Sequence, residues 1–151
     1  MATPFESAQL NLQLFDLRRE PVLRAARSWF VLEFNPESFA DLVTLVAGDR
    51  NAAFRMVVSY WDMAAALVND GAISLDLFNN TQDEHLIVFA KVEPFLREIR
   101  ETYTPDFALN LEKLVDSMPE GRKRTAEVRD RQKAAMERFA AKPATDKPGW
   151  K

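Results

Sequence analysis

Apolar positions in this chain recur at intervals of three and four, and the longest such run lies between Asp49 and Gly71. Ala52, Ala53, Phe54, Met56, Val57, Tyr60, Trp61, Met63, Ala64, Leu67 and Val68 would spread over roughly two thirds of a helical circumference, so this segment predicts a helix surrounded by others. Asp49 is placed to cap its start and Gly71 to end it. The remaining third carries Asn51, Arg55, Ser59, Asp62 and Asn69, which fall within about 80° of one another. That stripe either faces water or lines a cleft.

The flanking segments share the same periodicity. Phe5 to Arg18 predicts a first helix with Leu10, Leu14 and Leu17 on one face, and Pro21 opens a second that carries Val22, Ala26, Trp29 and Phe30. Asn35 as cap and Pro36 as first residue predict a short third helix ending at Gly48. After the central helix, Ser74 caps a brief turn of helix ending near Phe78. Thr81-Gln82-Asp83-Glu84 has the form of a capping box and opens a long helix to about Thr102, kinked near Pro94. Thr104-Pro105-Asp106 then starts a helix bearing Phe107, Leu111, Leu114, Val115 and Met118, stopped by Pro119-Glu120-Gly121. The last helix, Arg122 to Ala141, has few sizeable apolar anchors (Val128, Met136, Phe139) and is expected to dock weakly. Residues 142–151 are expected to be disordered. No period-2 strand appears, so the expected fold is all-α: a single-domain bundle of seven to eight helices around a buried central helix at about 49–70, with residues 1–121 as its compact part.

Length and charge sharpen this picture. A chain of 151 residues forms one domain and buries a full core without staples, and the absence of cysteine removes thiol chemistry and disulfides. MATPFESAQ is neither a positive leader nor an apolar run, and no window is long and apolar enough to span a membrane, so a soluble cytoplasmic protein is expected. The net charge of −3 conceals a partition. Residues 1–121 hold 10 Lys and Arg against 19 Asp and Glu, and residues 122–151 hold 10 against 4. An acidic body therefore carries a basic end.

Few residues suggest catalysis. Four glycines leave no material for a phosphate-cradling loop, and one histidine, His85, cannot complete a di-iron site, so neither cofactor nor metal is expected. His85, in the first turn of its helix, reads as a surface or cap residue. Arg55, Ser59 and Asp62 form the candidate site for a small anion, with a solvated strip as the alternative. Helix-turn-helix DNA binding by Ala64 to Asn80 is disfavoured by charge, since no Lys or Arg occurs between Met56 and Ala90. Arg122, Lys123, Arg124, Arg129, Arg131, Lys133 and Arg138 form the candidate surface for nucleic acid or an acidic partner, unless they simply lie across the acidic body.

RMVVSYWDMAAALVNDGAISLDLF, followed by VEPFLREIR, resembles an uncharacterised bacterial family of small helical proteins, domain of unknown function 4760. The resemblance spans about Arg19 to Glu101 and rests on Tyr60, Trp61 and Asp62, on Gly71 and Phe78, and on Glu93, Pro94 and Phe95. It implies a helical fold and carries no activity or residue role with it. Many similar proteins have an N-terminal membrane helix, which is not expected here. Trp29, Trp61, Trp150, eleven phenylalanines and five methionines exceed the needs of a marginal core. A non-enzymatic helical interaction module is therefore expected, self-associating or binding a protein partner through surface such as Leu12, Phe15 and Val31.

Overall fold

Nine α-helices follow one another in the computed structural model, which describes residues 1–142: α1 (Pro4–Leu17), α2 (Pro21–Leu32), α3 (Phe39–Val46), α4 (Asn51–Asn69), α5 (Leu75–Thr81), α6 (Glu84–Val92), α7 (Leu96–Thr102), α8 (Leu109–Ser117) and α9 (Gly121–Ala141). The expected disorder of the tail lies outside the described residues from 143 onward. Among the described residues there is no strand, and the fold is all-α. α6 and α7 are two arms of one bent helix, joined by a 3-10 turn at Glu93–Phe95. Pro94 has no N–H to continue the α ladder, so the bend falls where the sequence placed it.

α4 is the axis of the bundle. It packs most extensively against α8 and α2, and also against α3, α5 and α6. Val57, Trp61, Ala64 and Ala65 are completely buried along it, and the two alanines let neighbouring backbones approach closely. Phe30, Phe34 and Phe54 extend the core toward α2, with Phe30 and Phe34 ring centroids 4.7 Å apart. Gly71, at φ 77°, closes α4 in the left-handed conformation, and Ala72 and Ile73 both donate to the Leu67 carbonyl.

Several expected caps act differently. Asp49 makes no capping bond: it lies in a 3-10 turn, Gly48–Arg50, whose i→i+3 geometry occupies orphan backbone groups, and α4 starts at Asn51. Ser38 rather than Asn35 caps α3, in a box with Asp41, because Asn35 is drawn back to the Leu32 carbonyl and the Lys91 ammonium. Thr81 ends α5 instead of opening α6. Its hydroxyl donates to the Leu77 carbonyl and accepts from Asn11, while the Glu84 carboxylate is engaged by Arg27. Thr104 to Ala108 form a turn, and α8 begins only at Leu109, after Ala108 in the left-handed region. Leu17, expected inside, is exposed at the end of α1.

Candidate functional site

The stripe on α4 divides among three environments. Arg55 is exposed and its side chain makes no hydrogen bond or ion pair among the described residues; it stands at a pocket between α3, α4 and α7. Ser59 is exposed, donates to the Met56 carbonyl of its own helix, and borders a shallow apolar depression with Leu17, Leu23, Met56 and Met63. Asp62 is half-buried and turned to α8, accepting from the Leu111 N–H and the Asn110 side chain, each at 2.9 Å. Leu111 is in the first turn of α8, where backbone N–H groups lack helical acceptors and Ala108 offers no side chain to cap them. Asp62 supplies that cap from a neighbouring helix, and Asn69 adds a bond to the Asn110 carbonyl. The structure thus does not bring Arg55, Ser59 and Asp62 together.

The basic residues of α9 also separate. Arg122 spans three carboxylates, Glu93 at 2.8 Å, Glu112 at 3.0 Å and Asp116 at 2.6 Å, with its guanidinium over the Phe89 ring. Arg129 bonds Glu93 and the Ala90 carbonyl. Burial raises the Glu112 carboxyl, but hydrogen bonds from Arg122 and Arg100 more than offset this and hold it below the usual range; Asp116 is lowered chiefly by its hydrogen bond from Arg122. Lys123 pairs with Glu120 in its own helix region, and Arg124 is half-buried. Arg131, Lys133 and Arg138 are exposed. Docking of α9 is therefore concentrated in residues 121–129, where Gly121 and Thr125 are buried and Val128 packs on the core. Beyond them, Met136 and Phe139 are only half-buried.

A partly buried polar network, joined by the Arg27 bond to the Arg18 carbonyl at 3.0 Å, links α1, α2, α4, α5 and α6. Asn11 of α1 bonds Thr81 of α5 and accepts from Gln82, and Gln82 accepts from Arg18 at 2.8 Å. Arg27 of α2 grips Glu84 of α6 with two bonds at 2.7 and 2.6 Å, and Trp61 of α4 donates to the same carboxylate. Tyr60 donates to the Leu14 carbonyl, and burial pushes its hydroxyl up to about 12. Each of these polar groups finds partners on another element, as buried polar groups must.

His85 corrects the surface expectation. It is completely enclosed, 4.8 Å ring to ring from Phe78 and 5.9 Å from Trp61, and neither nitrogen has a hydrogen-bond partner among the described residues. Burial, aided by the charge of Arg124, pushes it down to about 3, so the ring is neutral. Nothing in the sequence pattern singles out Lys91. Its ammonium reaches the Phe30, Val31 and Phe34 carbonyls and the Asn35 side chain at 2.7–3.0 Å, capping the end of α2. Burial pushes it down to about 7 while those four oxygens favour its charged form.

The remaining feature is the outer side of α1. Its inner face is tied down by polar bonds, including Ser7 to the Ala72 carbonyl, while Phe5, Leu12 and Phe15 stand exposed on the opposite side. Phe5, Ala8, Leu12 and Phe15 are spaced by three, four and three residues and thus form one row. Of this row, the sequence pattern marks Leu12 and Phe15 as surface candidates. Val31 is half-buried and does not join this surface.

The family model for a domain of unknown function (DUF4760) matches residues 4–118. The chain belongs to that family. The DUF4760 region takes in α1 through α8, wider than the segment that carried the resemblance, while α9 lies beyond the match. No curated protein and no solved structure matches the chain. Among the described residues no helix is long and apolar enough to cross a membrane, and no group of three or more His, Cys, Asp or Glu is placed to hold a metal ion.

Proposed function

We propose that this protein is a helical interaction module that acts by association rather than by catalysis, and that its first partner is a second copy of itself, bound through the outer row of α1. The observation that carries this reading is the exposure of Phe5, Leu12 and Phe15, at 70, 68 and 47%. An isolated exposed leucine needs no explanation, but three large side chains in one helical row offer on the order of 300–400 Å² of contiguous apolar surface, the size associated with interaction sites. Among the described residues the Arg18 guanidinium lies 4.7 Å over the Phe15 ring, while Phe5 and Leu12 stay outside the hydrophobic core.

Self-complementarity favours a second copy. In an antiparallel pairing centred on position 10, Phe5 faces Phe15 of the other chain and Leu12 faces Ala8, so large and small positions interlock. With the flanking Gln9, Asp16 and Arg19, such a pair would bury roughly 1,000–1,200 Å² in all, the lower end of specific interfaces. A cytoplasmic location suits this reading. The exposed Arg131, Lys133 and Arg138 of α9 are a second place where an acidic partner would be met.

Because the chain has no cysteine, one introduced thiol reports on this geometry without background. Gln9 is exposed beside the row and close to its midpoint. Mild oxidation of Gln9→Cys should give a disulfide-linked dimer, whereas Lys133→Cys, exposed on α9, should give no disulfide crosslink. Equal crosslinking of the two variants, or none of Gln9→Cys at tens of micromolar, would refute pairing through α1.

A further inference from the structure

The pocket at Arg55 has the construction of a small-ligand site, on a different face from α1. Its volume is about 240 Å³. Water occupies roughly 30 Å³ per molecule, so this holds about eight waters or a ligand with a comparable number of non-hydrogen atoms. Leu42 and Val46 of α3, Phe54 of α4 and Ile99 of α7 line the apolar part, together with Phe107 from the turn before α8. The Phe54 and Phe107 rings are parallel to within 7° with centroids 5.8 Å apart. A parallel aromatic pair in a pocket wall offers a flat surface or edge to another ring.

The polar part is one-sided. Arg55, Asn51, Tyr103 and Thr104 stand around the opening, and no carboxylate lines the pocket. The Arg55 guanidinium has no anion to pair with among the described residues, unlike Arg27, Arg100, Arg122 and Arg129, each of which meets a glutamate. A planar cation of this kind recognises a carboxylate by two parallel hydrogen bonds, and the adjacent amide, phenol and hydroxyl add further donors. Apolar wall and unpaired cation together select a molecule with a flat apolar body and one carboxylate.

We infer that this pocket binds a monocyclic aromatic carboxylate, its ring among Phe54, Phe107, Leu42 and Ile99 and its carboxylate on Arg55. The site keeps Arg55 of the α4 stripe, takes Asn51, Tyr103 and Thr104 in place of Ser59 and Asp62, and does not depend on association through α1.

Benzoate is the probe, followed by the backbone amide shifts of the full chain. Saturable shifts confined to the residues around Ala47, Arg55 and Thr104 are expected. Arg55 is exposed, so Arg55→Leu should fold normally and bind benzoate at least tenfold more weakly. Benzyl alcohol, which has the ring without the charge, should bind wild type at least tenfold more weakly as well. Val46→Trp, which fills the pocket, should abolish the shifts. Unchanged benzoate binding in Arg55→Leu, equal binding of benzyl alcohol, tighter binding of hexanoate than of benzoate, or no saturable shift at millimolar benzoate would each overturn the inference.

Discussion

Asp62 and Arg55 occupy one stripe of α4 and have unlike roles, which separate in stability measurements. Replacing Asp62 by leucine removes the acceptor of the Leu111 N–H and of the Asn110 amide at the start of α8, where nothing else caps. Urea melts should show a loss of about 1–3 kcal/mol for Asp62→Leu and no more than about 0.5 kcal/mol for Arg55→Leu. Equal effects would contradict the cap. His85 gives a pH-dependent counterpart. Its folded value is about 3 and the unfolded ring titrates near 6.5, so the unfolded state binds the extra proton between those limits and stability falls as pH drops through 6.5. The slope can reach about 1.4 kcal/mol per pH unit, or about 2 kcal/mol by pH 5. This window lies above the lowered Glu112 and Asp116 carboxyls, and His85 is the sole histidine. His85→Leu should lose the slope between pH 6.5 and 5, below the range in which the lowered Lys91 adds a slope of the same sign; a slope that survives there would place its origin elsewhere. Neither role was legible in the sequence. The periodicity put Asp62 on a polar edge but could not show that α8 would arrive there uncapped, and the polar Gln82-Asp83-Glu84 run before His85 gave no sign that Trp61 and Phe78 would enclose it.

Helices were legible as elements because each carries its own three-four pattern; their ends were not, because caps are decided by competition. Ser74 and Gly71 behave as expected since nothing else claims them, whereas Thr81, Asn35 and Asp49 lose to Arg27 with Glu84, to Lys91, and to a 3-10 turn. α9 shows the same limit at larger scale. Its apolar anchors are as sparse as the sequence indicated, yet its first half is held by contacts that hydrophobic periodicity does not register: the Arg122 network and the close approach at Gly121. A Cβ on Gly121 would stand 1.8 Å from the Val115 carbonyl oxygen and 2.9 Å from its carbon, both backbone atoms that cannot swing away. Gly121→Ala should therefore destabilise by about 3 kcal/mol despite its better helix propensity. The exposed control Ala126→Gly should lose only about 1 kcal/mol. Hydrogen exchange locates the effect, with faster exchange expected across residues 121–129 and the end of α8 in Gly121→Ala. A smaller loss for Gly121→Ala than for Ala126→Gly would show that the turn relaxes and that α9 is not anchored there.

As a whole molecule, the chain is a DUF4760 domain of α1 to α8 with a ninth helix packed on α6 and α8. Its polar side chains tie helices together in the Asn11 to Glu84 network and in the Arg122 cluster, while the row of α1 exposes Phe5, Leu12 and Phe15. That row was half visible beforehand: Leu12 and Phe15 stood out against the Leu10 and Leu14 face. The inner side of α1 is fixed largely through Ser7, Asn11 and the Leu14 carbonyl, so polar residues turn inward and Phe5 outward, a reversal that hydrophobicity alone does not foresee. Association through this row is the central claim, and molar mass tests it most directly. Light scattering of the gel-filtered full chain at tens of micromolar should give about twice 17.3 kDa for wild type and a single 17.3 kDa chain for Leu12→Glu. A wild-type mass of one chain at that concentration, or a dimer untouched by Leu12→Glu, would contradict it.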